Sequence, residues 1–168
     1  MSVQNLKTAD LSDQWGDRAQ VGAPLFRDFG GLTDFHGPIA TALCPDDNSM
    51  VRVMLEEPGA GRVLVIDANA SPRCAMLGDL LAQLAVDNGW VGVLVHGYIR
   101  DSADMARMPL GVKALGTLPR KSDKRGAGQT QLTLDFAGVE FRPGDMLYAD
   151  TDGVLVLPAV AEALPGKD

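Results

Sequence analysis

Two dipeptides in this sequence, Gly78-Asp79 and Arg100-Asp101, have side chains and positions suited to binding a small carboxylic acid and a metal ion. Gly78 lies within a strong helical period, where a glycine costs about 1 kcal/mol relative to alanine. One interpretation is that the helix begins there, so that the free N–H groups of residues 78–81 form a cradle for a carboxylate. The other is a glycine that eases helix packing, and the residues alone leave both open.

Arg100 and Asp101 directly follow an almost purely apolar segment, which is typical of a buried strand. Ligands of open α/β sheets bind beyond the carboxyl ends of the strands. The planar guanidinium of arginine can pair with a carboxylate through two hydrogen bonds, and aspartate is a hard oxygen ligand for Mg²⁺ or Mn²⁺. The alternative is a strand-end salt bridge of Arg100 with Asp101 or Asp104, and the residues by themselves favour that alternative.

The elements around these residues form a predicted βαβ unit. Arg62–Asp67 and Val91–Gly97 are typical of buried strands, and the segment between them contains an amphipathic helix. Its apolar face is expected to consist of Leu77, Leu80, Leu81, Leu84 and Ala85. Because parallel strands end at the same edge of a sheet, the cradle, Arg100 and Asp101 should meet in one cleft. That combination would suit an α-keto acid, whose C2 oxygen the metal and Arg100 polarise as an enolate develops.

The remaining patterns predict one α/β domain over residues 1–168, with a mixed parallel and antiparallel β core surrounded by helices. Helices are expected at residues 8–16 and 47–57, and Gly37–Cys44 alternates like a strand. After Pro109 the chain consists of short strands separated by Pro/Gly turns, followed by a closing helix at Ala159–Leu164. No internal repeat or interdomain linker interrupts this pattern.

Composition excludes several classes of function. The net charge of -7 argues against a nucleic-acid partner, because phosphate neutralisation needs a surplus of Lys and Arg. The basic cluster Arg120, Lys121, Lys124 and Arg125 is interrupted by Asp123 and is expected to be a solvated loop. No apolar run is long enough to cross a membrane, and the N-terminus has no signal-peptide pattern, so a cytoplasmic location is expected.

Other reactive side chains have weaker patterns. Cys44 and Cys74 are expected to be buried thiols. His96, inside an apolar strand, is expected to be a core histidine or one that supports the site from behind rather than a base. His36 has no evident partner, and the two histidines lack the spacing of a zinc site. Lys113 could form a Schiff base in principle, but nothing in the sequence marks it as desolvated.

Most of the chain resembles the RraA-like family, which includes 4-hydroxy-4-methyl-2-oxoglutarate (HMG) aldolases. The similar segments include PLFRDFGG, FHGPIAT, GRVLVIDANAS, GDLLAQLAVDNGWVGVLVHGYIRD and GDMLYADTDGVLVLP. The family signature is an Asp, twenty residues and then Arg-Asp, and here it consists of Asp79, twenty residues and Arg100-Asp101. Asp104, three positions beyond, also fits the pattern.

This resemblance implies a class II aldolase, a carbon–carbon lyase that depends on a divalent cation, usually Mg²⁺ or Mn²⁺. Such members cleave HMG to two pyruvates and decarboxylate oxaloacetate through a shared pyruvate enolate. Carried over to this chain, the amides of Gly78–Leu81 would hold the pyruvyl carboxylate. Arg100 would contact the substrate and its enolate, and Asp101 would bind the metal.

The same family contains a regulator that binds and inhibits ribonuclease E and lacks the metal-binding Asp. Asp101 is therefore the discriminating position, and this sequence has the aldolase residue. The resemblance also implies a β/β/α swivelling-type fold assembled as a homotrimer, sometimes a dimer of trimers, with active sites near subunit boundaries. Longer aldolases have a C-terminal extension that supplies an acidic residue to a neighbouring site, whereas this sequence ends at Asp168. Decarboxylation is therefore expected to accompany or replace efficient aldol cleavage.

Overall fold

Four parallel strands form the centre of the fold, which the computed structural model describes for residues 6–159. They are β3 (Phe35–Leu43), β4 (Val63–Asp67), β6 (Gly92–Ile99) and β7 (Gly111–Thr117), and they pair in that order. A short strand, β5 (Ala75–Leu77), pairs in parallel with the last residues of β6. The prediction of parallel strands joined by a helix is therefore confirmed.

Helices lie in the segments that connect these strands. They are α2 (Ser49–Leu55) between β3 and β4, α3 (Asp79–Asp87) between β5 and β6, and α4 (Ser102–Met105) between β6 and β7. The N-terminal helix α1 (Thr8–Trp15) precedes the sheet and continues into a 3-10 turn at Gly16–Arg18. No helix within residues 6–159 is long and apolar enough to span a membrane.

Antiparallel strands extend both edges of the parallel core. On the β3 side lie β11 (Met146–Asp150), β12 (Gly153–Leu157) and β1 (Gln20–Val21), and on the β7 side lies β2 (Arg27–Asp28). Strand β8 (Gln129–Thr130) also pairs with β3, while β9 (Leu134–Phe136) and β10 (Val139–Phe141) form a separate hairpin. The sheet is thus mixed, as the sequence predicted.

Both faces of the central sheet are buried, and alternate residues of β6 show this directly. Val93 and Val95 pack with the helices in one apolar core, whereas Leu94 belongs to a second core with Phe136 and Phe141 of the β9–β10 hairpin. A strand covered on both faces has no polar side to display, which explains its almost continuous apolar run.

The apolar face predicted for the third helix is partly wrong. Leu77 lies in β5 and is buried there, because the helix begins only at Asp79. The buried residues of α3 are Leu81, Ala82 and Ala85, and Leu80 is 76% exposed. The face of α3 that packs on the core therefore excludes Leu80.

The other predicted elements are confirmed with small shifts in their bounds, whereas the short elements β5 and α4 are not evident in the sequence pattern. Cys44 and Cys74 are buried and free, as expected. Burial is the main cause that raises the pKa of Cys44 to about 12, so this thiol is unreactive at neutral pH. Apart from Ala159, the predicted closing helix lies outside the described residues.

Candidate active site

The N-terminus of α3 lies at the carboxyl edge of the parallel sheet. Gly78 is its N-cap, with extended backbone at φ −126° and ψ −172°, and the amide of Ala82 makes the first helical hydrogen bond to Gly78 O at 2.9 Å. The N–H groups of residues 79–81 therefore have no acceptor within the helix. Of the two interpretations left open by the sequence, the structure supports a helix that begins at this glycine.

The side chain of Asp101 reaches this helix terminus. Its Oδ2 accepts a hydrogen bond from the backbone N–H of Asp79 at 2.9 Å. The predicted cradle of residues 78–81 is thus partly occupied by the chain's own carboxylate. The amides of Leu80 and Leu81 have no hydrogen-bond acceptor among residues 6–159 and remain available to a ligand.

Gly78 is needed for space rather than for backbone conformation. A Cβ added at this position would lie 2.9 Å from Asp101 Oδ2 and 3.4 Å from Arg100 Nε. Real Cβ atoms essentially never approach an atom within 3.0 Å, so an alanine here would push the carboxylate away from the helix. The glycine that interrupted the helical pattern therefore makes room for Asp101 and Arg100.

The backbone of Arg100 is fixed just after β6, and its side chain faces an open cleft. Its N–H donates to Leu77 O at 2.9 Å, and its Nη1 donates to Pro119 O at 3.4 Å. Within the described part of the chain, Arg100 makes no ion pair with Asp101 or Asp104. The predicted strand-end salt bridge is therefore absent, and the guanidinium is available to an anionic ligand.

The cleft beside Arg100 has a volume of about 350 Å³. Its lining residues are Arg100, Asp101, Thr117, Leu118 and Pro119. The last three come from the end of β7 and the loop after it, and sequence reasoning did not identify them. The available signal was Thr117, a polar residue at the end of β7 and at the same sheet edge as Arg100.

Asp101 has the features of a single protein ligand for a hydrated cation. It is solvent-exposed, and its Oδ1 has no hydrogen-bond partner among the described residues. No group of three His, Cys, Asp or Glu side chains within residues 6–159 is arranged to hold a metal. This donor set fits Mg²⁺ or Mn²⁺, since Mg²⁺ commonly keeps several waters and takes only one or two carboxylates from a protein. It does not fit a structural zinc site, which needs four protein ligands.

The buried carboxylate of Asp47 anchors the basic loop, which follows Pro119 of the cleft lining and contains Arg125. Its Oδ1 accepts the amide of Ser49 at 2.8 Å, and its Oδ2 accepts the amides of Arg125 at 2.6 Å and Ala127 at 3.4 Å. Burial alone would raise the pKa of Asp47, but hydrogen bonds from the side chain and amide of Ser49 and from the loop amides outweigh it and lower the pKa to about 2. The exposed basic residues of this loop, which the sequence predicted to be solvated, are thus tied to α2 through a carboxylate.

We expect Asp47→Asn to destabilise the protein by about 2 kcal/mol at pH 7, because it weakens charge-assisted hydrogen bonds to a buried group. Since folding lowers this pKa, the contribution is present above pH 4 and is lost as the pH falls from 3.8 towards 2. Urea unfolding of wild type and variant between pH 2 and 7 measures the difference. Asp123→Asn, an exposed change in the same loop, should cost little. A stability difference between wild type and Asp47→Asn that does not shrink in acid would contradict this account.

His96 is not among the residues that line the cleft, and it packs against Phe136 of the second apolar core. Its Nδ1 is 2.9 Å from Asp67 Oδ1, and its ring stacks on Phe136 with the centroids 4.4 Å apart. This environment agrees with the predicted core histidine. The exposed His36, for which the sequence suggested no partner, stacks on Tyr148 at 5.6 Å.

Lys113 is more buried than the sequence indicated. It is only 2% exposed, and its Nζ lies 3.0 Å from Asp28 Oδ1, beside a cavity of about 200 Å³. The two charges are close but poorly aligned. Asp28 Oδ1 is buried, and no donor among the described residues reaches it in hydrogen-bonding geometry. The burial of Lys113, which the sequence did not indicate, is offset by the neighbouring carboxylate of Asp28.

Comparisons with known proteins agree on the fold and differ in the functions they name. The family model described as "RraA-like: Aldolase/RraA" matches residues 8–156. A protein from Laribacter hongkongensis is 55% identical over 151 residues, covering 90% of this chain and 95% of its own. One from Alkalilimnicola ehrlichii is 53% identical over 152 residues, covering 90% and 94%. Both are named "Putative 4-hydroxy-4-methyl-2-oxoglutarate aldolase".

Two solved structures are similarly close. The RNA-processing inhibitor RraA from Thermus thermophilis is 40% identical with a TM-score of 0.91, covering 97% of this chain and 99% of its own. A protein from Geobacillus kaustophilus described as S-adenosylmethionine:2-dimethylmenaquinone methyltransferase is 49% identical with a TM-score of 0.91, covering 95% and 99%. With the family model spanning most of the chain and these relatives matching nearly all of it, the chain belongs to the RraA-like family.

Proposed function

We propose that this protein is a metal-dependent carbon–carbon lyase that forms the enolate of pyruvate, acting on HMG as an aldolase and on oxaloacetate as a decarboxylase. The observation that carries the proposal is the convergence of Arg100, Asp101 and the unpaired amides of α3 at one sheet edge. Relatives more than 50% identical bear an aldolase name, which supports the same substrate class.

The cleft residues Arg100 and Asp101 and the adjoining N-terminus of α3 each have a role in this proposal. The amides of Leu80 and Leu81 hold the pyruvyl carboxylate, with the positive end of the α3 dipole behind them. Arg100 donates to the C2 oxygen, where negative charge accumulates as the bond breaks. Asp101 would hold Mg²⁺ or Mn²⁺. When bound, such a cation supplies additional positive charge beside the developing enolate.

The two reactions share their first product. In aldol cleavage the C3–C4 bond of HMG breaks, the C4 hydroxyl gives its proton to a water molecule, and C4 leaves as the ketone carbon of one pyruvate. In decarboxylation the C4 carboxylate of oxaloacetate leaves as CO₂. In both cases the bonding electron pair stays on the three-carbon fragment as an enolate, and protonation at C3 gives pyruvate. Because only the leaving group differs, one set of enolate-stabilising residues serves both reactions.

Turnover of oxaloacetate and HMG, assayed side by side, tests the proposal. Pyruvate formation is measured with Mg²⁺, with Mn²⁺ and after removal of metal, each against an enzyme-free sample with the same metal, because oxaloacetate also decarboxylates in solution. We expect rates above the enzyme-free control only when metal is present. Equal rates for wild type, Arg100→Ala and Asp101→Asn would refute the proposed site.

A homotrimer with active sites near subunit boundaries is part of this proposal. In the single chain the apolar side chain of Leu80 is 76% exposed at the first turn of α3, next to the amides assigned to the substrate. A neighbouring subunit would cover this side chain and shield the cleft from water. Light scattering after size-exclusion chromatography gives the mass directly, and a monomer that retains full turnover would exclude this assembly.

A second candidate function is regulation of a ribonuclease through protein contacts. The observation in its favour is the similarity to the RNA-processing inhibitor RraA over 97% of this chain. Such binding would depend on the surface rather than the cleft, and the two functions can coexist on one fold. A pull-down with the ribonuclease E of the same cell that survives Asp101→Asn would support regulation, and no capture at all would exclude it.

A further inference from the structure

The cavity of about 200 Å³ beside Lys113 lies between the two edges of the sheet. Strand β1 pairs with β12 at one edge and β2 pairs with β7 at the other, so residues 22–26, which join β1 to β2, bridge these edges. The cavity shares no lining residue with the cleft at Arg100. Its lining residues are Ala23, Pro24, Phe26, Asp28, Lys113, Thr151, Asp152, Gly153 and Val154.

Lys113 and Asp28 place two opposite charges in the wall of this cavity. The side chain of Lys113 is 2% exposed, and its Nζ lies 3.0 Å from Asp28 Oδ1. Within residues 6–159 neither atom makes a hydrogen bond, because their contact is not aligned for one. Buried polar groups in folded proteins nearly always have hydrogen-bond partners. The wall therefore offers ammonium donors and a carboxylate acceptor to a ligand of the cavity.

The charges of the lining select the kind of ligand. Lys113 is the one cation among the lining residues, and Asp28 and Asp152 are the two anions. A simple anion at Lys113 would be repelled by Asp28, and a simple cation at Asp28 would be repelled by Lys113. A molecule that carries both charges, oriented opposite to the Lys113–Asp28 pair, is attracted at both ends.

The distance between the two charges matches that within an α-amino acid. Bond lengths place the ammonium nitrogen and the nearer carboxylate oxygen of such a molecule roughly 3 Å apart, since only two carbons separate them. The distance from Lys113 Nζ to Asp28 Oδ1 is 3.0 Å. An α-amino acid can therefore place its carboxylate at Nζ and its ammonium at Oδ1 at the same time.

The rest of the lining limits the size of the ligand and the polarity of its side chain. The volume of about 200 Å³ is below the roughly 300–1,000 Å³ that is typical of sites for drug-sized ligands. Apolar lining comes from Ala23, Pro24, Phe26 and Val154. These features favour an amino acid with a short aliphatic side chain, such as alanine or valine.

We infer that this cavity is a second ligand site, which binds a free α-amino acid with a short aliphatic side chain. The ligand carboxylate accepts hydrogen bonds from Lys113, and the ligand ammonium donates to Asp28. Lys113 lies four residues before Thr117, where β7 reaches the cleft, and four residues of a strand span about 13 Å. The site is therefore separate from the cleft and does not rest on the proposed function.

An NMR titration of ¹⁵N-labelled wild type at pH 7 tests the site, with L-alanine and L-valine as probes. We expect saturable shifts of the amide signals of residues 23–28 and 151–154. Propionate and ethylamine each carry one of the two charges of alanine, and 4-aminobutyrate carries both at a greater separation. These three analogues should bind at least about tenfold more weakly than alanine, because each loses charge-assisted hydrogen bonds or their geometry. This series uses wild type alone and does not depend on how any variant folds.

Three variants locate the binding. Lys113→Met should abolish alanine binding, whereas Lys124→Met, the same change at an exposed position, should leave it within about twofold of wild type. Arg100→Ala, which alters the cleft, should also leave it unchanged. Circular dichroism checks that each variant folds. If Lys113→Met does not fold, the analogue series in wild type decides.

Four results would each overturn the inference. No saturable shift with either amino acid would mean that the cavity holds water only. Propionate binding as tightly as alanine would mean a simple anion site. Loss of alanine binding in Arg100→Ala would place the amino acid in the cleft, and alanine binding that survives in folded Lys113→Met would exclude the assigned contact.

Discussion

Asp101→Asn should lower kcat/KM for oxaloacetate by roughly 10²–10³ in the presence of Mg²⁺, and Arg100→Ala should cause a loss of similar size. Asp101→Asn removes the charge assigned to the metal, and Arg100→Ala removes the donor assigned to the enolate oxygen. Neither side chain belongs to the apolar cores, so the stability of both variants should stay within about 0.5 kcal/mol of wild type. Steady-state kinetics and thermal unfolding of the same preparations separate the two effects.

Matched changes at exposed positions outside the site serve as controls for these losses. Asp135→Asn on β9 and Arg107→Ala after α4 alter the same charges outside the cleft lining. They should retain turnover within a few-fold of wild type. Arg100→Lys should recover only part of the activity, because an ammonium cannot reproduce the planar fork of a guanidinium. If these controls lose as much activity as the cleft variants, general electrostatics rather than the proposed site would explain the data.

Asp28→Ala should have the largest effect on stability, at about 3 kcal/mol, because it leaves the buried ammonium of Lys113 without its counter-ion. Strand β2, which carries Asp28, is two residues long and pairs with β7 at Lys113, so the ion pair also holds this edge strand in register. Chemical denaturation of wild type and variant gives the difference in free energy of unfolding. Asp135→Ala, an exposed change on β9, should cost less than about 0.5 kcal/mol.

The double variant Asp28→Ala/Lys113→Met separates burial of a charge from loss of packing. Removing both ions should recover most of the stability lost in Asp28→Ala, since methionine fills the space without requiring a partner. A double variant that is less stable than Asp28→Ala would show that the ion pair itself, rather than the cost of an unpaired charge, is the stabilising element. Turnover of the double variant shows whether Lys113 is only structural for the lyase reaction. If it is, turnover should survive the loss of both ions.

The similar proteins bear three names, an aldolase, an RNA-processing inhibitor and a methyltransferase, although their overall fold is shared. Fold similarity therefore does not select among them, and the residues of the site must. Asp101 is the residue on which the lyase depends most directly, because its carboxylate would hold the proposed metal.

Much of the fold could be predicted from the sequence because its elements have strong local signals. The apolar runs of β4 and β6 and the punctuation of the later strands by glycine and proline are properties of neighbouring residues. The same holds for the order of strand, helix and strand, which places Gly78 and Arg100 at one edge of the sheet. The resemblance of long segments to the RraA-like family added the spacing of Asp79 and Arg100-Asp101.

What the sequence by itself determined is the set of residues at that edge, because chain order and strand direction decide which residues meet there. Only the tertiary structure decided what each of them contacts. The packing of α3 leaves Leu80 exposed, the carboxylate of Asp101 accepts the Asp79 amide, and the pairing of β2 with β7 places Asp28 beside the buried Lys113. These contacts join residues that are distant along the chain, and their geometry depends on packing and register that local pattern does not encode.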